Sequence, residues 1–343
     1  MADLTIMGAG IFGLALAYSC AQRGARVRVI EKRAPGAGSS GGLVGALAPH
    51  VPENWNTKKA FQFEALRMAG GFWAEVAAVS GRDPGYARLG RVQPLASDKL
   101  DLAHSRAAQA RDLWQGFAEW RVLPVTEAPG LPLDAPSGWV VHDTLSARLQ
   151  PRKAGAALVG ALQHLGASVE TGDTAPDGVV VWATGYEGLQ DLSRDLGADL
   201  GAGVKGQSVA LALSCPDAPQ IFADGLHIVP HTDGTVAIGS TSERAFDDPS
   251  GTDAACDALV AQARRICPAL CDASEVSRWA GVRPRAKSRA PLMGAWPGRA
   301  GHFVFNGGFK IGFAMAPALA AIMADLVLDG RDAIPEGFRL TTP

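Results

Sequence analysis

Residues 4–31, LTIMGAGIFGLALAYSCAQRGARVRVIE, decide the fold. A short apolar run, a glycine-rich turn, an apolar stretch of helical period and a second run, VRVIE, together make one βαβ unit. Gly8, Gly10 and Gly13 stand at GxGxxG spacing. The first permits a tight turn, the second lets the backbone approach a pyrophosphate, and the third lets the helix pack close to the strand. A helix opening at Ile11 and Phe12 then offers free N–H groups and partial positive charge to the phosphates. Glu31 closes the second strand 18 residues after Gly13, with Lys32 next to it. A carboxylate there accepts from the ribose hydroxyls and would repel a 2′-phosphate, so the spacing predicts a bound dinucleotide.

The segment after Glu31, KRAPGAGSSGGLVGALAPH, is rich in glycine and too apolar for a solvated linker. A chain running under a pyrophosphate and then beside a larger ring system must bring its backbone close, which Gly and Ala permit. FAD makes that demand where NAD does not, and the candidate contacts are Ser39, Ser40, Gly45, Ala46 and Leu47. A buried strand, GVVVW, ends at Ala183, Thr184 and Gly185, where the backbone again nears the cofactor. Near the C-terminus FVFN leads through a turn holding Gly308, Phe309, Lys310 and Ile311 into an apolar helix. A helix N-terminus aimed at a flavin stabilises the negative charge the ring gains on reduction.

Bulk properties narrow the class. Lys and Arg number 32 against 34 acidic residues, a net charge of -2, without the basic excess that drives binding to nucleic acid or anionic lipid. The strand-like run begins almost at Met1, so no secretory leader is expected. The stretch from Phe313 to Leu328 carries Pro317 and Asp325 and reads as a buried helix, so no membrane association is expected. Five cysteines, Cys20, Cys215, Cys256, Cys267 and Cys271, show no CxxC spacing, so reduced thiols of a cytoplasmic protein and no metal site are expected.

The ordered motifs GAGIFGLALAYSCAQRGARVRVIEK, GSSGGLVGALAP, VVVWATGY, KGQ, HIVPHTDGTVAIGST, AGVRPRAKSRAPLMG and NGGFKIGFAMAP resemble the D-amino-acid oxidase family of flavoproteins over essentially the whole chain. The glycine and sarcosine oxidase branch is the most similar. The resemblance implies an α/β fold with a discontinuous Rossmann-like FAD domain, residues 1–85, 142–205 and 283–343. A second, α+β domain, residues 86–141 and 206–282, would carry a large mixed or antiparallel sheet over the flavin. Alternating segments such as HIVPHTDGTVAIGS, with Asp233-Gly234 as a hairpin turn, fit that picture, as do helical patterns around residues 100–117 and 252–266. One departure is visible: only DTAPDG separates GASVETG from VVVWATG, where relatives place a small β-meander.

The same resemblance implies oxidation of a small amine or amino acid, with hydride passing from Cα to the flavin and the resulting imine hydrolysing. Arg283 matches the arginine that grips the substrate carboxylate in glycine oxidase, and a planar fork of donors suits that group. Lys310 matches a second cation over the carboxylate. His227 stands where glycine oxidases show tyrosine, and His50 is expected to face the same cavity. No cysteine precedes the C-terminal glycine turn, so FAD is expected to be non-covalent, with O2 or an electron-transfer partner as acceptor. A 2-hydroxy-acid dehydrogenase or oxidase shares these demands and adds a base for the hydroxyl, which a strongly perturbed His227 or His50 would supply. A non-catalytic FAD-binding protein is the remaining alternative.

Overall fold

In the opening strand β1 (Leu4–Met7) all four side chains are buried, and in the helix that follows, α1 (Ile11–Ala21), every residue but Ser19 is buried. Such an element has no solvent face and must lie between layers. The computed structural model of the protein, which describes residues 2–341, places β1 at the centre of a sheet and α1 against the C-terminal helix. The chain continues through β2 (Val27–Glu31), β3 (Ala46–Leu47), α2 (Thr57–Ser80), β4 (Arg91–Pro94), α3 (Leu100–Leu113), β5 (Trp120–Pro124), β6 (Trp139–Asp143) and β7 (Ala147–Arg148). It then forms α4 (Pro151–His164), β8 (Ser168–Thr171), β9 (Val179–Trp182), α5 (Gly185–Asp195), β10 (Gly201–Ala212), β11 (Gln220–Ala223), β12 (Leu226–Pro230) and β13 (Thr235–Gly239). The last elements are α6 (Ala255–Ile266), β14 (Glu275–Ala286), β15 (Leu292–Ala295), β16 (His302–Asn306) and α7 (Gly312–Asp329).

Two large sheets result. The first runs β15-β16-β9-β1-β2-β8, parallel except for β15. Leu4 faces Val27 on one side and Val179 on the other, so the ends of β1, β2, β9 and β16 lie along one edge. Loops after the carboxyl ends of parallel strands are where such sheets bind ligands. The second sheet runs β14-β10-β13-β12-β11-β4-β6-β5 and is antiparallel apart from the β4–β11 pair. Asp233 and Gly234 turn β12 into β13, as the alternating pattern predicts, with Gly234 at φ +80°. The strands β6, β10 and β14 run unbroken across the borders expected at 141/142, 205/206 and 282/283.

One apolar core packs α1, α2, α4 and α7 on the first sheet, and another packs α6 on the second. Pro317 occupies the sixth residue of α7, and the helix runs on through it to Asp329. By length and composition α7 could cross a bilayer, yet half of it is buried, with α1 and α2 against it. The short connection between β8 and β9 is tied down by Arg28, which pairs with Glu170 at 2.8 Å and donates to Thr174 Oγ1 at 2.9 Å and to the Ala175 carbonyl at 3.0 Å.

Candidate active site

The carboxyl edge of the first sheet and the face of the second enclose a cleft of about 860 Å3, within the range of small-molecule sites. Its two ends are built differently.

At one end the walls are backbone. Gly8 holds φ +103°, and a Cβ there would lie 2.6 Å from the Ala183 carbonyl oxygen. A Cβ on Gly13 would fall on the Gly8 carbonyl oxygen, which is the close helix–strand contact that the GxGxxG spacing predicts. Glu31 accepts from the Ala9 amide at 2.9 Å and the Arg33 amide at 3.1 Å, fixing the glycine turn to the end of β2. Ser40 Oγ accepts from the Ile11 amide at 2.9 Å. Neither α1 nor α7 has an N-cap side chain or an acid in its first turn, so beyond the Ile11 amide held by Ser40 both present orphan N–H groups and positive helix ends. This donor set fits a pyrophosphate and a ring that becomes anionic on reduction.

Gly8, Gly10, Ile11, Phe12, Glu31, Lys32, Ser39, Ser40, Gly45, Ala46, Ala183, Thr184, Gly185, Gly308, Phe309 and Lys310 all line the cleft. Gly13, Leu47 and Ile311 do not. Gly13 packs on Gly8, Leu47 is fully buried in the small β3–β7 pair, and Ile311 stands at the start of α7. Asn306 was not foreseen: buried at the end of β16, it donates to the Gly185 carbonyl at 2.8 Å and accepts from the Gly307 amide. No cysteine lines the cleft, and none of the five forms a disulfide.

At the other end side chains converge from the second sheet. Arg283 is buried on β14, its guanidinium against Gly206 of β10. It donates from Nη1 to the Thr241 carbonyl at 3.2 Å and from Nη2 to Ser240 Oγ at 2.5 Å. Burial lowers its pKa to about 10, against the raising influence of Glu243, which leaves it cationic at neutral pH. Lys310 lines the same end, carried by Phe309 in a left-handed conformation, φ +42°. Burial and then the charge of Arg283 lower its ammonium below the ordinary lysine value.

His227 on β12 faces this end and packs on Phe222, ring centroids 4.6 Å apart. Its Nδ1 has no partner. Burial first, then Arg91 and Lys310, pull its pKa down to about 3. Arg91 sits behind Phe222, 5.6 Å from the ring centre, and is held by buried Asp143 at 2.9 Å. The histidine is thus neutral and a weak proton acceptor, perturbed in the direction opposite to a general base for a hydroxyl.

His50 corrects the expectation from sequence. Its backbone amide and ring Nδ1 both engage Gln62 Oε1 on α2, and it lies outside the cleft lining. After β3 the chain turns toward α2, and the glutamine there satisfies the imidazole. Trp182, the last residue of β9, lines the cleft and donates from Nε1 to His302 Nδ1 at 3.0 Å. Phe222, Ser240 and Thr241 gave no chemical signal of their own; Ser240 and Thr241 lie within the quoted motif HIVPHTDGTVAIGST, and Phe222 lies in none.

The family described as DAO, FAD dependent oxidoreductase, matches residues 3–326. The chain belongs to that family. This DAO-family protein is 27% identical to glycine oxidase of Pseudomonas aeruginosa over 362 aligned positions, covering 96% of each chain. Its fold is that of the glycine oxidase of Geobacillus kaustophilus, with a TM-score of 0.85 at 24% identity over 99% of this chain and 98% of that one. The iminodiacetate oxidase of Chelativorans sp. BNC1 is as close in fold, TM-score 0.85 at 22% identity over 98% of both. The protein is an FAD-dependent oxidoreductase.

Proposed function

We propose that this protein oxidises a small amine that carries a carboxylate, an amino acid of the glycine or sarcosine type. The observation that carries the reading is the pair Arg283 and Lys310, two cations that line the cleft from the end of β14 and from the turn before α7. The acidic lining residues, Glu31, Asp173, Glu187 and Asp191, belong to the β2, β8 and α5 side.

FAD bound along the cleft supplies the two-electron acceptor. The residues from Gly8 to Phe12, with Ser39 and Ser40, hold its pyrophosphate; Glu31 meets the ribose; the segment pinned by Arg28 borders the adenine. Cofactor contacts fall in residues 1–85, 142–205 and 283–343, and the absence of a lining cysteine supports non-covalent attachment. Arg283 and Lys310 fix the carboxylate and so aim Cα, a positioning effect that by itself accounts for several powers of ten in rate. Neutral His227 offers a hydrogen bond without adding charge, and Phe222 and Val44 keep water from that end. The open end of α7 stabilises negative charge in the cleft. The imine then hydrolyses in water, and O2 or an electron-transfer partner takes up the electrons.

The weak basicity of His227 and the position of His50 disfavour a 2-hydroxy acid. Anaerobic mixing of the yellow holoprotein with glycine, sarcosine, D- and L-alanine, glycolate and lactate tests the reading. Bleaching by one or more amino acids is expected; bleaching by the hydroxy acids alone, or by nothing, overturns it.

A further inference from the structure

Arg283 is held by a device that lies on the opposite face of the sheet from the cleft. The chain leaves β13 at Gly239 and runs on beside β10 as a strap, residues 240–253, with Glu243 bridging Lys205 in antiparallel sense, before entering α6. Both ends of the strap are tied to one buried side chain, Gln207 of β10. The Gln207 amide donates to Thr241 Oγ1 at 2.8 Å, and its side-chain nitrogen donates to Glu243 Oε1 at 3.2 Å. Its side-chain oxygen accepts from the Asp253 amide at 2.9 Å and from Cys256 Sγ at 3.4 Å. Glu243 also receives the Thr241 hydroxyl, lies 3.8 Å from the buried ammonium of Lys205, and exchanges backbone hydrogen bonds with Lys205 at 2.9 Å in each direction.

Side chains alternate along a strand, so Lys205 and Gln207 share one face of β10 and position 206 takes the other. Only a glycine leaves room there: a Cβ on Gly206 would coincide with the Arg283 guanidinium. Thr241 joins the two faces. Its hydroxyl donates to Glu243 behind the sheet and accepts from the Gln207 backbone amide, while its carbonyl receives Arg283 in front. With Ser240 the strap engages one N–H on each Nη, and a guanidinium has five, so three remain to meet a carboxylate.

We infer that Gln207, Thr241 and Glu243 are positioning residues, which orient Arg283 for a substrate carboxylate through the strap without touching substrate themselves. The inference rests on the reading of Arg283 as the carboxylate clamp. Glu243 supplies the negative charge that a buried guanidinium needs before substrate arrives, and Gln207 keeps that charge behind the sheet so that it does not compete for the donors in front. A fork aimed in advance forfeits less on binding than one that must be ordered.

The test is the dissociation constant of propanoate, read from the flavin absorbance of the holoenzyme, for Glu243→Gln, Gln207→Leu, Thr241→Val and Thr241→Ser, with Arg283→Ala alongside. Glu243→Gln keeps the shape and the acceptor while removing the charge, and is expected to weaken propanoate about fivefold. Gln207→Leu and Thr241→Val are expected to weaken it ten- to a hundredfold, while Thr241→Ser stays within twofold of the parent. The limiting rate of flavin reduction by propylamine, an amine without a carboxylate, should match the parent's in Glu243→Gln, Gln207→Leu, Thr241→Val and Thr241→Ser.

Constants within twofold of the parent in Glu243→Gln, Gln207→Leu and Thr241→Val overturn the inference if Arg283→Ala still abolishes binding. Arg283→Ala without effect on propanoate overturns the clamp reading itself. Equal losses toward propanoate and propylamine make the strap a scaffold, and they also overturn the inference. Should Gln207→Leu fail to fold, Glu243→Gln and the Thr241 pair decide.

Discussion

The cofactor end and the substrate end of the cleft are made by different means. Around Gly8, Gly13 and Ala183 the site is backbone against backbone, with two helix N-termini as the source of charge. Around Arg283, Lys310 and His227 it is side chain against side chain, gathered from β12, β14 and the turn before α7. The first leaves no room for a Cβ at Gly8 or Gly13. The second depends on the charge and the donor geometry of its side chains.

The sharpest way to break the contrast is Gly13→Val. A Cβ there already meets the Gly8 carbonyl oxygen, so a branched side chain must push α1 off β1. Complete loss of bound flavin is expected, read as a colourless purified protein; a yellow protein of normal flavin content would show that the end is not built on close backbone contact.

Next in size is Arg283→Ala, which should leave flavin content unchanged. Loss of the clamp is expected to cost roughly 2–5 kcal/mol, about 30- to 4000-fold in kcat/KM on an amino acid. Arg283→Lys should recover only part of that, since a point charge lacks the paired donors. Flavin loss together with activity would erase the distinction between the two ends.

His227 sharpens the comparison through pH. Burial keeps its ring neutral down to about pH 3, whereas an unfolded imidazole takes a proton near pH 6.5. Between those values the unfolded chain binds more protons, so stability rises with pH and is lost as pH falls from 6.5 toward 3. At pH 5 the loss from this residue is roughly 2 kcal/mol. His227→Gln should therefore shrink the difference in urea stability between pH 7.5 and pH 5 by about that amount. An unchanged difference would mean that the ring is solvated. His50, His142 and His231 are also lowered by burial and add to the slope in the same direction.

The smallest effect is expected at Arg28, whose contacts hold the short segment after β8. Arg28→Met should raise the FAD dissociation constant about fivefold, roughly 1 kcal/mol, in a fluorescence titration of apoprotein. FMN, which lacks the adenine, should bind parent and variant alike.

Much of this was legible beforehand because the information is local. GxGxxG, the strand–helix–strand period and Glu31 lie within 31 residues, and each constrains the next through covalent geometry and hydrogen bonding along the chain. The part of the cleft lined by Gly8, Gly10, Ile11, Phe12 and Glu31 follows from that spacing. The substrate end was legible only in part. Arg283 and Lys310 stood out by resemblance, yet neither sequence pattern nor charge could place His50 away from the cleft, since that depended on Gln62 approaching from α2. Nor does the sequence place Trp182 beside the cleft, since an indole at the end of a buried strand looks the same whether or not a cavity lies beside it.

By itself, then, the sequence determined the dinucleotide-binding unit, the mixed α/β class, the hairpin at Asp233-Gly234 and the pair of cations. The tertiary structure alone decided what those cations face and what holds them. Gly206, Thr241 and Arg283 meet because β10, the strap after β13 and the end of β14 are brought side by side. Antiparallel register joins residues dozens of positions apart, and no periodicity along the chain records which of them will touch.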